Sequence, residues 1–436
     1  MGIQGPTTAD WFDRGRSALV DGVSSGYRYW GDQDTLVIDR GDGAHVYDMD
    51  GKRYVDYQLG FGPVILGHGH PAVAAAVAEA AAAGTTFAMT TAREVEAAEA
   101  FRAAVPWVDR LRFTNTGTEA TMHAIRLARA HTGRELIVKF EGGYHGAHDY
   151  VLFSVSGAAV DSLGSRRSPV PLQDSPGIPE AIQSLIRVVP FNDLEAMERL
   201  FRSEGHLIAA MLIEPMLGNF MGLMPDDGYL EGLRRICDEH GSVLIFDEVK
   251  TGFRLGLGGA AETFGIVPDL GTFAKCMGNG FPVAAVAGRD AVIGDWAAGG
   301  VMQAGTYSGN GIGAAATKAT IDILATGEPF AVIERTGKAL ISGIEGILAE
   351  EGVPGHVTGH WSMFGISFSE EAPREYRDYA NVNEGLYGEV VMGMIGRGVM
   401  PVADSGEPWF ISAAHSTEDV ALTLEAFGDS LHDAKK

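Results

Sequence analysis

The stretch Val243-Leu-Ile-Phe-Asp-Glu-Val249 decides the fold: four apolar residues run into two carboxylates. A short apolar run of this kind reads as a buried strand, and parallel sheets covered on both faces are where such runs occur. The two acids then stand where the strand leaves the core. A carboxylate in that position is costly unless it meets a cation or hydrogen-bond donors. Asp247 and Glu248 therefore either cap the following loop or face a partner from another segment.

The pattern recurs on both sides. Arg110–Thr114, Leu136–Phe140, Ile208–Ile213 and residues 283–287 read as further strands, with helices over residues 120–129 and Tyr229–His240 between them. Alternating strands and helices predict an α/β body, a mostly parallel sheet flanked by helices. Upstream, residues 44–57 alternate apolar and polar side chains about Asp50-Gly51, a pair suited to a hairpin turn. Past residue 310 an alanine-rich helix leads into a smaller mixed unit, with strands near 365–368 and 409–413 and a closing helix from Thr417. Ligands of open parallel sheets sit beyond the carboxyl ends of the strands, so the chemistry is expected in the loops there.

Composition narrows the partners. The formal charge of −24 opposes binding to phosphate backbones and anionic lipid, which excludes nucleic acid and membrane as expected partners and leaves small molecules. Cys237 and Cys276 lie in apolar segments without a pairing pattern, which predicts neither disulfide nor zinc site and a reducing, cytoplasmic setting. Residues 1–10 lack the charged and apolar regions of a secretion signal, and Pro6 spoils the myristoylation pattern that Gly2 suggests. The histidines form no metal-ligand spacing, so no metal is expected; His145 and His70 are candidates for a pocket or for ordinary core and loop roles. Residues 255–260 and 309–313 are glycine-rich without the strand, spacing and acid of a dinucleotide fingerprint, and read as loops.

Downstream of the Asp-Glu pair, Asp269-Leu-Gly-Thr-Phe-Ala-Lys-Cys-Met-Gly-Asn-Gly280 places Lys275 at the end of another apolar run. A lone lysine is ordinarily a solvated surface group. An amine and an acid at neighbouring strand ends nevertheless suit pyridoxal phosphate, which needs an amine for its aldehyde and an anion to keep its ring nitrogen protonated. Asn115-Thr-Gly-Thr-Glu-Ala120 adds a strand, a Gly/Thr turn and a helix start, which reads as a phosphate site or an N-cap by Thr116 or Thr118. Phe140-Glu-Gly-Gly-Tyr-His-Gly146 puts Tyr144 at the next strand end, as a ring for stacking or as core.

With these segments in this order, the chain resembles the class III (ω-type) aminotransferases of fold type I, in particular the branch that contains glutamate-1-semialdehyde 2,1-aminomutase. The likeness runs from Val23-Ser-Ser-Gly-Tyr-Arg28 through Gly62-Pro-Val-Ile-Leu-Gly-His-Gly-His-Pro71 and Gly305-Thr-Tyr-Ser-Gly-Asn310 to Phe410-Ile-Ser-Ala-Ala-His415. It implies a large cofactor domain over 61–320 and a smaller α+β domain built from 1–60 and 321–436. It also implies that Lys275 carries pyridoxal 5'-phosphate as a Schiff base, that Asp247 pairs with the ring nitrogen, that Val249 lies under the ring, and that Tyr144, with His145 beside it, lies over it. Gly117 and Thr118 would hold the phosphate. Gly305 and Thr306 would reach the cofactor of a neighbouring subunit, making a homodimer with shared sites. Glu214 and Asn219 would lie beside the cofactor hydroxyl.

On the substrate side, the resemblance implies that Ser25 and Arg28 hold a carboxylate and that Glu407 pairs with Arg28. Residues 161–179 resemble a mobile gating loop. The chain departs from the aminomutase pattern at Gly278-Asn-Gly280, at Gly311-Ile312, and at the bulky Tyr27, Tyr29 and Trp30, all expected to neighbour the substrate pocket. The implied activity is ping-pong transfer of an amino group from a small amino donor to a carbonyl acceptor. The alternative is an aminomutase that returns the amino group to the same skeleton.

Overall fold

The computed structural model describes residues 6–32, 34–297 and 300–436; Gly2 lies outside them. Its centre is a seven-stranded sheet in the order Arg110–Thr114, Ala284–Gly288, Leu270–Phe273, Val243–Glu248, Ile208–Ile213, Leu136–Phe140, Ile186–Val189. Only Ala284–Gly288 runs against the others. The chain returns to it from Leu270–Phe273 through a connection too short for a crossover helix, so it must come back antiparallel. That connection contains Lys275 and emerges at the end of the sheet where Val243–Glu248 delivers its acids.

The central strands are buried on both faces, which is why they read as unbroken apolar runs. The Gly117–Thr132 helix packs on one face, with Ala120, Ala124, Ile125, Leu127 and Ala128 buried against the sheet. Tyr229–His240 covers the other face, burying Leu230, Leu233 and Ile236. Both helices stop at a glycine in the left-handed region, Gly133 and Gly241, a conformation open to glycine at little cost.

Around this body, the hairpin His45–Asp48 and Arg53–Asp56 forms as expected, with Gly51 at φ 83° in the turn. Its second strand pairs in parallel with Val399–Met400, so the two ends of the chain share a four-stranded sheet. Met363–Ser367 pairs with His356–His360 and Trp409–Phe410 in a three-stranded sheet, and the closing helix is Thr417–Ala434.

Several boundaries differ from those the sequence predicts. The strand over 243–246 extends to Glu248, because parallel pairing of Asp247 and Glu248 with Thr272 and Phe273 carries the ladder through both acids. The strand over 409–413 shortens to Trp409–Phe410, after which the backbone of Ile411 and Ala413 bonds to Ser362 and Ile65 instead of extending the ladder. Ile186–Val189 escapes a reading by apolar runs because Arg187 interrupts it; at the sheet edge that side chain reaches Glu204. No helix of the described residues is long and apolar enough to cross a membrane.

Candidate active site

The side-chain alternation of a strand separates the two acids. Glu248 turns away from the site: fully buried, it accepts hydrogen bonds from Thr251 and from the amides of Ala260 and Ala261, the latter two at 2.9 and 3.0 Å. Burial pushes its carboxyl up to about 7. Glu248 is thus the acid that caps the next loop. Asp247 faces the other way, also buried. Its Oδ1 accepts from the Val249 amide and from Thr272 Oγ1, both at 3.0 Å, and its Oδ2 lies 2.7 Å from His145 Nδ1.

Lys275 has φ 48°, uncommon for a residue with a side chain, and this turn delivers its amine to a cavity of about 250 Å³. Ser25, Tyr27, Arg28, Tyr144, Asn219 and Glu407 line the same space. Burial pushes the Lys275 amine down to about 7, the neighbouring Lys250 ammonium adds to this, and Glu407, Glu214 and Asp247 oppose it. An amine so placed is available as a nucleophile or a base near neutral pH.

The expected cofactor residues form a chain of contacts around these two groups. Glu214 accepts from the Tyr144 amide at 2.9 Å and from Asn219 Nδ2 at 2.7 Å, and its own carboxyl is raised by burial. Thr121 Oγ1 donates to the His145 carbonyl at 2.6 Å. Thr116 takes the N-cap of the Gly117–Thr132 helix by accepting from the Glu119 amide, while Thr118 Oγ1 accepts from the Ala147 amide. A Cβ on Gly117 would stand 2.9 Å from Val249, so glycine is what permits the helix start and the Asp247 loop to approach.

The structure departs from expectation at Glu407, Asn279 and Gly311. Glu407 pairs with Lys250 at 2.5 Å rather than with Arg28, because Lys250 is buried at the same wall while Arg28 is exposed. Asn279 is not a pocket residue: its side chain accepts from the Leu66 amide at 2.9 Å and donates to the Gly67 carbonyl at 3.2 Å, tying loop to loop. Gly311 likewise starts a helix capped by Asn310. Of the aromatic departures, Tyr27 does line the cavity, edge-on to Phe61. Gly305 and Thr306 are exposed and absent from the cavity wall of this chain.

Sequence reasoning missed Lys250 and Asp404, both on the cavity wall. The available signal was a lysine directly behind the Asp-Glu-Val turn. Among the described residues no cluster of His, Cys, Asp and Glu could hold a metal ion. The 161–179 segment is tied down by the Arg166–Glu375 pair and by Arg377, which donates to the Leu163 and Gly164 carbonyls.

The sheet order, with Lys275 and Asp247 at the carboxyl ends of two adjacent parallel strands, is the architecture of the fold type I pyridoxal-phosphate-dependent transferases. The family model for aminotransferase class-III matches residues 27–424. This chain belongs to the class-III aminotransferase family. A glutamate-1-semialdehyde 2,1-aminomutase of Methanothermobacter thermautotrophicus is 44% identical over 97% of this chain and 98% of its own length. The crystal structure of an omega-transaminase from Sphaerobacter thermophilus superposes with a TM-score of 0.93 at 34% identity, covering 99% of this chain and 98% of that one. A transaminase with PLP bound gives a TM-score of 0.88 at 28% identity, covering 100% and 99%.

Proposed function

We propose that this enzyme moves an amino group on a small amino compound, using pyridoxal 5'-phosphate held at Lys275. What supports the reading is that the Lys275 amine, brought down to about 7, opens on the cavity lined by Tyr144 and Asn219 and feels the charge of the buried Asp247, which lies behind that wall against His145. The residues fit the cofactor: His145 Nε2 is buried without a hydrogen-bond partner, and Gly117 opens a helix N-terminus toward Val249.

When bound, the cofactor supplies an aldehyde for amines and a conjugated ring that accepts electrons. Lys275 would hold the aldehyde and, once released by an incoming amine, take the α-proton and return it one atom away. Asp247, oriented by Thr272, Val249 and His145, would keep the ring nitrogen protonated. Tyr144 would stack on the ring, Val249 would support it from below, and Gly117 and Thr118 would take the phosphate. Glu214 and Asn219, already bonded to each other, would flank the ring hydroxyl.

The intramolecular outcome, conversion of glutamate-1-semialdehyde to 5-aminolevulinate, is the first to test, because the full-length relative at 44% identity bears that name. Intermolecular ping-pong transfer is the second, favoured by the likeness to the Sphaerobacter omega-transaminase and by Glu407 being paired with Lys250 rather than Arg28. Purified enzyme should absorb at the visible edge and bleach with a donor amine; Lys275→Ala should abolish both. An unchanged spectrum in that variant would overturn the assignment. Product analysis with glutamate-1-semialdehyde, with and without a separate carbonyl acceptor, then separates the two outcomes.

Met302 and Tyr307 are exposed, as are Phe87 and Met89 on a neighbouring loop joined to this one through the Gly311 amide and the Thr85 carbonyl. This apolar surface supports a homodimer in which Thr306 reaches the partner's cofactor phosphate. A cytoplasmic setting fits the unpaired cysteines.

A further inference from the structure

Lys250 is buried yet bounds the same cavity as Lys275. Its ammonium donates to the Gly218 carbonyl at 2.9 Å and to Glu407 Oε2 at 2.5 Å, and stands 5.6 Å from the centre of the Phe410 ring. An ammonium has three protons to donate, and these two acceptors use two of them. No step assigned to the cofactor chemistry needs a second lysine here.

We propose that Lys250 selects for substrates bearing a carboxylate, its ammonium exchanging Glu407 for the acid group of the substrate. The proposal rests on the amino-transfer reading and specifies its substrate class. The two side chains differ in how they are held: Lys250 has a second partner in the Gly218 carbonyl, and Glu407 is held through Lys250. Lys250 follows directly on the Val243–Glu248 strand and is fixed to Gly218, whereas Glu407 belongs to the loop between Val399–Met400 and Trp409–Phe410. Glu407 also crowds Asp404, whose carboxyl is raised first by burial and then by that neighbouring charge. A third acid entering this wall would repel Glu407 and take its place, leaving the cavity charge unchanged. Magnitude favours Lys250 over Arg28 in this role, since an exposed guanidinium gains little from an ion pair in water, whereas a buried ammonium is already stripped of water.

The test uses cofactor-loaded enzyme, 4-aminobutanoate and 1-aminobutane as donors matched in chain length, and butanoate as an unreactive acid whose binding is followed by calorimetry. In Lys250→Met, butanoate affinity should fall about tenfold or more, as expected for loss of a charged hydrogen bond. The concentration of 4-aminobutanoate that half-bleaches the cofactor should rise by a factor about tenfold larger than that for 1-aminobutane. Because Lys250→Met leaves Glu407 without its cation, the double variant Lys250→Met with Glu407→Gln is measured beside it, and the same selectivity loss is expected. Equal losses for both donors with butanoate binding intact would overturn the proposal, as would a selective loss confined to Arg28→Met. Lys250-dependent butanoate binding by protein that stays colourless with pyridoxal phosphate would uphold the acid site while overturning the amino-transfer reading.

Discussion

His145 Nδ1 lies 2.7 Å from Oδ2 of Asp247, with both side chains buried, while Oδ1 of the same carboxylate is taken by Val249 and Thr272. Three groups from three segments therefore hold one acid in a fixed orientation.

Asp247→Asn keeps most of this geometry and removes the charge. Turnover should fall at least about 10²-fold while the cofactor is still captured at Lys275, since a fixed charge aimed at the reacting group is worth that much. His145→Phe, which loosens the acid without neutralising it, should cost roughly tenfold. Turnover and the absorbance of bound cofactor check both; equal turnover in Asp247→Asn and wild type would reject the role of Asp247.

The Lys275 amine, lowered to about 7, loses its proton as pH rises through that value instead of near 10.5. Only the neutral amine attacks an aldehyde. Capture of pyridoxal phosphate by apo-protein should therefore speed up from about pH 6 to about pH 8 and level off above. Glu407 favours the protonated amine, so Glu407→Gln should move the inflection to lower pH. Stopped-flow absorbance at a series of pH values reads both.

Gly117→Ala would bring a methyl group to 2.9 Å from Val249 at the proposed phosphate site. The clash should cost about 1–3 kcal/mol of stability, seen as a lowered Tm, and weaken cofactor retention measured by dialysis. A variant that retains cofactor and Tm unchanged would remove Gly117 from the site.

His415 is buried against Tyr57, with ring centroids 4.7 Å apart, and its Nδ1 accepts from the Ser412 amide. Burial pushes it down to about 4, below its usual 6.5. A histidine depressed in the folded state contributes stability that is full above about pH 6.5 and lost as pH falls through about 4. His415→Gln should therefore show a smaller drop in Tm between about pH 6.5 and about pH 4 than wild type, after both are normalised at about pH 7.5.

If Thr306 serves the partner's site, mixing Lys275→Ala with Thr306→Ala subunits should restore more turnover than either homodimer shows. Phe87→Lys should shift the sedimentation coefficient toward the monomer. Additive activity from the mixed subunits would place Thr306 outside a shared site.

Much of this molecule was legible in the chain itself, because apolar runs record burial on both faces of a sheet: Ile208–Ile213 and Leu136–Phe140 fall where those runs do. The order of acid, lysine and Gly/Thr turn also specified the family and its cofactor chemistry. Tertiary structure decided which of the two neighbouring acids faces the site, since the side-chain alternation assigns Asp247 and Glu248 to opposite faces but not which face is the catalytic one. It also decided that Glu407 meets Lys250 instead of Arg28. Pairings between residues so far apart in sequence depend on which side chain is withdrawn from water, and burial of that kind is a property of the packed chain.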